Sequence, residues 1–213
     1  MRGVCGGMKL IIVNSHERSG THFLMNTLAL NFDYVSYPYY NFDLPVLPHM
    51  PVNILATLQG IREPRHIVKS HYEGTFFKNV LANIAMFAHV FYISREEDGV
   101  FNSCSKHFND CKWDEAHKSV DGNDLKKLEP YGGCMRYQYQ QYPTMLMRWE
   151  AHKMSWDLPS VIQIKYENLV NQFDKTVRSI SRQIGIKIVG GIARKPDRSN
   201  TVQNGEFDEK EVK

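Results

Sequence analysis

The chain has 213 residues, of which 42% are hydrophobic and 23% are charged, as in a globular protein with one domain, or one domain and a small lid. Its 26 basic and 23 acidic residues leave a net charge of +3, too small an excess to demand a nucleic acid or a membrane surface as partner. No apolar segment is long enough to cross a bilayer, and the N-terminal residues lack the apolar core of a secretion signal, so we expect a cytoplasmic protein.

The first predicted element is a buried strand that runs into a polar turn. The apolar run at 8–13 is too short to span a membrane, and Leu24 and Leu28 suit the inner face of a helix. The stretch SHERSGTHF is therefore a strand-to-helix loop. The first N–H groups of a helix are unpaired and its dipole is positive at that end, so an anion binds there readily. We predict a phosphate-binding loop, whose side-chain donors are Arg18, Ser19, Thr21 and His22.

This loop lacks the Walker A spacing G-x-x-x-x-G-K-[ST], because Arg18 precedes its only glycine, Gly20. An ordinary ATPase or GTPase is therefore disfavoured. Taken alone, the loop is better explained as a helix N-terminus that carries an arginine and hydroxyls without binding a ligand.

The second buried strand, RHIVKS, leads into the cluster VKSHY. Residues two apart in an extended segment point the same way, so we expect Lys69 and His71 to face one site together. An imidazole takes a proton from an alcohol near neutral pH, and an ammonium stabilises negative charge on a leaving oxygen. The pair suits catalysis, although a surface lysine and a hydrogen-bonded histidine are the more common explanation of such a pair by itself.

The third strand, HVFYIS, ends at Arg95, and Ser103 follows eight residues later in the helix that REEDGVF opens. An arginine binds a phosphate bidentately and a serine adds a donor, so the two residues suit a second phosphate. An arginine paired with the acidic residues at 96–98 is an equally good explanation.

The remaining elements complete the predicted fold. A fourth strand, SVIQIKY, follows, and the alternation of strands and helices predicts a parallel α/β sheet. Apolar residues at helical spacing predict one helix over 169–184 that packs on the sheet and stops at Gly185. Pro143 suits the first turn of an earlier helix. We expect the polar stretch 109–142 to cross the active face and the tail from 190 to be loose.

The four cysteines, Cys5, Cys104, Cys111 and Cys134, are too few and too scattered for a disulfide scaffold, so we expect reduced thiols. Three residues at helical spacing, Cys104, His107 and Cys111, could in principle hold a metal. Because no nearby fourth ligand completes a zinc pattern, we expect small core residues instead.

The polar clusters that follow the first three predicted strands, in their order along the chain, resemble those of the sulfotransferases that use 3′-phosphoadenosine 5′-phosphosulfate (PAPS). ERSGTHF is similar to their 5′-phosphosulfate loop, VKSHY to the segment with their catalytic lysine and histidine, and SREEDGVFNS has their Arg-to-Ser spacing for the 3′-phosphate. IKYENLVNQF resembles their later tyrosine segment, and the similarity extends with gaps over 8–186. It implies a P-loop-like parallel sheet flanked by helices, as a single compact domain at 8–189. Residues 1–7 are then an extension, and 190–213 a tail that closes over the nucleotide.

The resemblance also implies a role for each matched residue. Lys69, His71 and Arg18 would carry out the chemistry, and Phe23 would lie against the adenine. The residues implied to bind the nucleotide are Arg18, Ser19, Gly20, Thr21, His22, Phe23, Arg95, Ser103 and Tyr166, with Arg194, Lys195 and Arg198 as candidates for a late basic loop on the 3′-phosphate.

The sequence departs from the family pattern at three positions within the matched motifs, the chain is shorter than many members, and the family's late basic loop has no clean match. Arg18 stands where many members have lysine, and His22 replaces a common threonine. The acidic residue that usually lies four places after the 3′-phosphate arginine is one place early, at Asp98, with Gly99 in its stead.

The predicted reaction moves a sulfonate from PAPS to a hydroxyl, or less readily an amine, of a small molecule or carbohydrate. It releases 3′,5′-adenosine bisphosphate (PAP) and needs no metal. Two alternatives stay open: a P-loop phosphotransferase with a degenerate loop, and a catalytically idle relative that only binds a nucleotide or a partner. Aromatic residues that either line an acceptor pocket or pack in the core are Tyr37, Tyr39, Tyr40, Phe42, Phe76 and Phe77.

Overall fold

A computed structural model describes residues 8–42, 51–110, 116–130 and 142–197 of the chain. Its centre is a single five-stranded sheet in which every neighbouring pair of strands is parallel. The strands, in chain order, are β1 (Leu10–Ser15), β2 (Val35–Asn41), β3 (His66–Ser70), β4 (Ala88–Ser94) and β5 (Val161–Lys165). Their order across the sheet is β2-β3-β1-β4-β5, and the predicted parallel α/β sheet is thus confirmed.

Helices connect the strands and cover both faces of the sheet. They are α1 (Thr21–Phe32), α2 (Pro51–Gln59), α3 (Gly74–Phe77), α4 (Leu81–Phe87), α5 (Glu97–Asp110), α6 (Gly122–Leu125), α7 (Met145–Ser155), α8 (Tyr166–Asn171) and α9 (Phe173–Ile184). In the described part of the chain, no helix is both long and apolar enough to cross a membrane.

The central strand β1 is buried along its whole length, since it packs on both faces. Ile11 and Val13 belong to a core with α1, α8 and α9, whereas Leu10 and Ile12 belong to a core on the opposite face with α2, α3 and α4. The register pairs Val13 with Lys69 of β3 on one side and with Phe91 of β4 on the other. The carboxyl ends of the three strands therefore meet at one edge, where ligands bind in open parallel sheets.

The helix expected over 169–184 is in fact two helices. Gln172 has φ −128° and ψ 46°, values outside the helical region, so α8 ends before it and α9 begins after it. Val177 and Ile180 of α9 face the sheet, and Gly185 ends the helix with φ 70°. The predicted apolar face and stop signal are confirmed, but the continuous helix is wrong.

Three further expectations from the sequence need comment. The sequence analysis missed β2, an edge strand that contains Pro38. Pro143 precedes α7 rather than opening it, because Thr144 is the N-cap and accepts the N–H of Met147. The tail is fixed to α1 at Arg194, whose backbone exchanges two hydrogen bonds with the Asn31 side chain.

Cys104 is 3% exposed and packs with Val100, Phe108 and Leu125 in a core between α5, α6 and α7. The expected packing role is thus confirmed for this cysteine, whereas Cys5, Cys111 and Cys134 lie outside the described residues. Within the described ranges, no group of three His, Cys, Asp or Glu side chains could hold a metal ion. Within the polar stretch 109–142, residues 111–115 and 131–141 also lie outside these ranges.

Candidate active site

The loop between β1 and α1 has an unusual backbone. Arg18 has φ 63° and Gly20 has φ 94°, so the chain passes twice through the left-handed region before α1 begins. A Cβ atom on Gly20 would overlap the ring of Tyr166, the first residue of α8, so both the backbone and this neighbour require glycine. Between them Ser19 is buried, and its hydroxyl has no hydrogen-bond partner among the described residues. An unsatisfied buried hydroxyl at a helix N-terminus fits a loop built to bind an anion.

The loop is joined to the end of β4 and to α5. Arg18 donates from Nε to Oγ of Ser103 at 3.1 Å, across 85 residues of sequence. Arg95 donates from Nη1 to the carbonyl oxygen of Arg18 at 3.2 Å. The three residues predicted to bind two phosphates therefore lie together, and Arg18 bridges the two predicted phosphate sites.

Arg95 is positioned by its neighbours on two sides. Its guanidinium lies 4.6 Å from the ring centre of Tyr166, a cation–π contact. Below it, a Cβ on Gly99 would come within 2.7 Å of the Arg95 Nε. The glycine in place of the family's acidic residue thus makes room for the arginine. Asp98 does not replace that acid at the site, because its carboxylate is bound by Lys126 at 2.8 Å.

Lys69 and His71 lie on the other side of β1 and are buried, with 7% and 6% of their surface exposed. The Nδ1 atom of His71 lies 2.8 Å from the carbonyl oxygen of Ser15 and 3.1 Å from the Ser15 hydroxyl. A carbonyl oxygen only accepts, so Nδ1 carries the proton and the lone pair of the neutral ring is on Nε2. The Ser15 hydroxyl is also 2.6 Å from that of Thr21. The histidine is therefore joined through Ser15 to Thr21 at the end of the β1–α1 loop, and the sequence analysis did not select Ser15.

Two tyrosine rings lie on the lysine side of the site. Lys69 Nζ lies 5.9 Å from the ring centre of Tyr39, which makes edge-on contacts with His22 and Tyr37. Among the other predicted pocket aromatics, Phe42 and Phe77 are core residues, Phe76 packs on Tyr72, and Tyr40 contacts His66. These placements divide the predicted set: Tyr39, which also packs on the core, lies beside Lys69 and Tyr37 contacts Tyr39, whereas the rest are explained by packing.

Phe23 packs in the core behind the loop, where only 6% of it is exposed. Its ring meets the rings of Tyr166 and Phe173, with centres 6.2 and 6.5 Å apart. The contact with adenine that the family resemblance implies stays a prediction for Phe23.

Behind the loop, α7 contributes polar side chains that the sequence analysis missed. Arg148 donates to Nε2 of His16 at 2.8 Å and to the carboxylate of Glu17 at 2.6 Å. His152 lies 3.1 Å from the carbonyl oxygen of His71 and 3.2 Å from the hydroxyl of Tyr92. Burial, above all, lowers the pKa of both His16 and His152 to about 3, and nearby positive charge adds to the effect, so both imidazoles are neutral at physiological pH.

Comparisons with known proteins identify the fold. No protein-family model and no curated protein sequence matches the chain. Solved structures do: mouse sulfotransferase SULT7A1, complexed with PAP, has a TM-score of 0.57 and 17% identity, over 85% of this chain and 60% of the mouse chain. Retinol dehydratase in a complex with retinol and PAP has a TM-score of 0.53 and 16% identity, over 83% and 60% of the two chains.

The chain has the sulfotransferase fold. A sulfotransferase from Alicyclobacillus acidocaldarius matches with a TM-score of 0.50 and 12% identity, and the matched region covers 95% of this chain and 88% of the bacterial chain. The fold expected from the sequence resemblance is thus confirmed. This chain spans about 60% of the length of the mouse enzyme and of retinol dehydratase.

Within this sulfotransferase fold, basic side chains of the described tail bind carbonyl oxygens of α1 and α8. Arg194 donates its guanidinium to the carbonyl oxygen of Leu30, near the far end of α1, roughly 13 Å along the helix from Thr21. Lys195 donates to the carbonyl oxygen of Val170 in α8 at 3.0 Å. Arg198 lies outside the described residues. A 3′-phosphate contact from these three residues stays a prediction.

Proposed function

We propose that the chain is a PAPS-dependent sulfotransferase, which moves a sulfonate group to an acceptor hydroxyl, or less readily to an amine, and releases PAP. The observation that carries this proposal is the convergence of three distant segments at one sheet edge. Arg18 contacts Ser103 and Arg95 on one side of β1, and Ser15 contacts His71 on the other. The fold neighbours that were solved with PAP support the use of a nucleotide with two phosphate groups, which we propose binds at this edge.

The charges and donors of the loop fit the phosphate groups of that nucleotide. Arg18 and the helix N-terminus face the 5′-phosphosulfate, and the buried Ser19 hydroxyl, which has no partner within the described chain, is a further donor. Arg95 and Ser103 bind the 3′-phosphate, for which a guanidinium offers a bidentate fork. The Arg18–Ser103 contact keeps the two sets of donors adjacent.

His71 acts as the general base in this proposal. Its Nδ1 proton is held by the Ser15 carbonyl oxygen, so Nε2 is the atom that accepts the acceptor's proton. As the acceptor oxygen bonds to sulfur, the bond from sulfur to the bridging oxygen of the phosphosulfate breaks. Lys69 and Arg18 stabilise the negative charge that develops on that oxygen and on the group in transfer.

The acceptor side favours a small molecule with a flat apolar face. Tyr37 is 41% exposed and Tyr39 lies beside Lys69, so both rings are placed to contact such an acceptor. The fold neighbours include retinol dehydratase complexed with retinol or with androsterone. We also propose a cytoplasmic location, as the sequence analysis expects.

Calorimetry tests the nucleotide assignment directly. We expect the full chain to bind PAP with or without Mg²⁺ and to bind ATP with Mg²⁺ far more weakly. Tighter binding of ATP with Mg²⁺ would favour a phosphotransferase and overturn the proposal. A transfer assay with radiolabelled PAPS and a panel of phenols, alcohols, sugars and amines then separates a working enzyme from a chain that only binds nucleotide.

A further inference from the structure

Helix α7 carries two buried polar side chains one turn apart. Arg148 is 3% exposed and His152 is fully buried, and their i, i+4 spacing places them on one face of the helix. Burying a cation costs several kcal/mol unless it is paired and hydrogen-bonded. The reaction proposed above uses neither residue directly, so their contacts show what they do.

Arg148 holds the first two residues of the predicted phosphate-binding loop at 16–20, called the phosphate loop below. One guanidinium nitrogen donates to His16 and the other to Glu17, which precedes Arg18. His16 in turn donates its Nδ1 proton to the Glu17 carbonyl oxygen at 2.9 Å. Arg18 has the left-handed φ of 63°, which costs energy for a residue with a Cβ. The bonds from Arg148 fix the backbone directly before this strained residue.

His152 holds the segment that carries the catalytic histidine. Its Nε2 donates to the carbonyl oxygen of His71 at 3.1 Å, and its Nδ1 accepts from the Tyr92 hydroxyl at 3.2 Å. The rings of His16 and His152 also meet edge-on, with centres 5.5 Å apart. One face of α7 therefore contacts both the phosphate loop and the His71 backbone.

We propose that α7 sets the distance between the phosphate loop and His71, with Arg148 and His152 as positioning residues. This inference rests on the proposed function, because the distance matters for in-line transfer between a bound nucleotide and a base. Both α7 side chains act through other residues: neither is assigned a contact with the reacting atoms. The neutral, low-pKa state of His16 and His152 supports this role, since neither ring exchanges protons at working pH.

The decisive variant is Arg148→Lys in the full chain. Lysine keeps the positive charge, but a single ammonium lacks the planar fork that reaches His16 and Glu17 at once. Hydrogen–deuterium exchange of the 16–20 amides, without any nucleotide, reports the loop directly. We expect exchange there to rise by about tenfold or more, with the β4 amides unchanged. Unchanged exchange at 16–20 would overturn the proposal.

Nucleotide affinity then separates position from charge. We expect PAP to bind Arg148→Lys roughly 10- to 100-fold more weakly than the wild type, because the loop donors are displaced. Arg178→Met is the matched control, since it removes a cation from an exposed pair on α9, and it should bind PAP normally. If Arg148→Lys binds like the wild type while Arg148→Met does not, Arg148 acts by charge alone and the proposal is wrong. The two proposals can also fail separately. If the wild type binds no PAP, the proposed function is refuted, and faster exchange at 16–20 in Arg148→Lys would still support the contact between α7 and the loop.

Variants at two further positions keep the proposal testable if Arg148→Lys does not fold. Glu17→Gln removes the carboxylate partner from the less buried end of the pair, and it should also speed exchange at 16–20. His152→Leu removes the donor to the His71 carbonyl and should lower kcat more than PAP affinity, whereas His152→Gln should restore much of the rate through its amide N–H. Equal rates for the Leu and Gln variants would contradict the role of His152.

Discussion

Gly20 is the residue with the least freedom in the loop. Its φ of 94° disfavours any side chain, and a Cβ there would overlap Tyr166, the ring that also contacts Arg95. A side chain at this one position therefore strains the loop and displaces the Tyr166 ring, which supports Arg95 of the second predicted phosphate site. Gly185 has a similar φ of 70°, but a Cβ there would meet no described atom within 4 Å, which makes it a natural comparison.

We expect Gly20→Ala to lower both stability and PAP affinity, and Gly185→Ala to lower stability alone. The left-handed backbone costs about 1–2 kcal/mol in each variant, and the Tyr166 overlap adds to this only at Gly20. Urea unfolding and calorimetric titration with PAP measure the two effects. Equal PAP affinity in the two variants would show that Tyr166 and Arg95 take no part in binding.

His71→Ala tests the base assignment. Because the ring takes the acceptor's proton and is not proposed to bind the nucleotide, kcat should fall by about 10²–10⁴ while PAP affinity changes little. His66→Ala is the control, since His66 lies at the opposite end of β3 and bonds to the Pro38 carbonyl oxygen. Full activity in His71→Ala would exclude this residue as the base.

At the scale of elements, the first turn of α5 combines a structural task with the proposed binding task. Glu97 and Asp98 pair with Lys126 next to α6, while Gly99 leaves space for the Arg95 side chain. The Glu167 carboxylate of α8 accepts the N–H of Glu96 at 3.0 Å and so ties the start of α5 to α8. The departure from the family pattern at 98 and 99 thus has a physical reason in this chain.

Gly99→Ala should therefore separate stability from binding. Alanine favours a helix over glycine by up to about 1 kcal/mol, so the helix itself gains from the change. The new Cβ would lie 2.7 Å from the Arg95 Nε, however, and the displaced guanidinium should bind PAP about tenfold more weakly. Gly60→Ala at the end of α2, where a Cβ meets only ordinary contacts, should leave affinity unchanged. Unaltered PAP affinity in Gly99→Ala would remove Arg95 from the site.

The same scale shows which parts of the fold the sequence could predict. Four strands were predictable as apolar runs, whereas β2 reads VSYPYYN, with a proline and no apolar alternation. Pro38 is tolerated because β2 lies at the edge of the described sheet, where one side of the backbone has no partner strand. The break at Gln172 was hidden because apolar residues keep helical spacing across it.

At the scale of the whole molecule, the site was predictable where topology alone brings residues together. Parallel strand ends share one edge, so Arg18, Lys69 and Arg95 had to be neighbours once the strands were recognised. The α7 contacts were not predictable, because 131 residues separate Arg148 from Glu17 and a helical arginine is usually exposed. The only signal was the i, i+4 pairing of Arg148 and His152 on an otherwise apolar helix face.

The buried histidines couple the stability of the whole molecule to pH. Folding lowers the pKa of His16 and of His152 from 6.5 to about 3, chiefly by burial, and burial together with Lys9 lowers that of His89. Below pH 6.5 the unfolded chain binds protons that the folded chain does not, so stability falls as the pH falls.

We expect the free energy of unfolding to decrease between pH 6.5 and 4.5 by up to about 1.4 kcal/mol per pH unit for each fully buried histidine. Backbone N–H donors lower the pKa of carboxyl groups such as that of Asp121. The stability that such carboxylates contribute is lost only at still lower pH, so the slope between pH 6.5 and 4.5 reports the histidines. Urea unfolding at half-unit pH steps measures the slope, and His152→Gln should reduce it by one histidine's share. A stability that stays level across this window would mean that His16 and His152 are protonated in the folded protein, and that Arg148 cannot donate to His16 as the positioning of the loop requires.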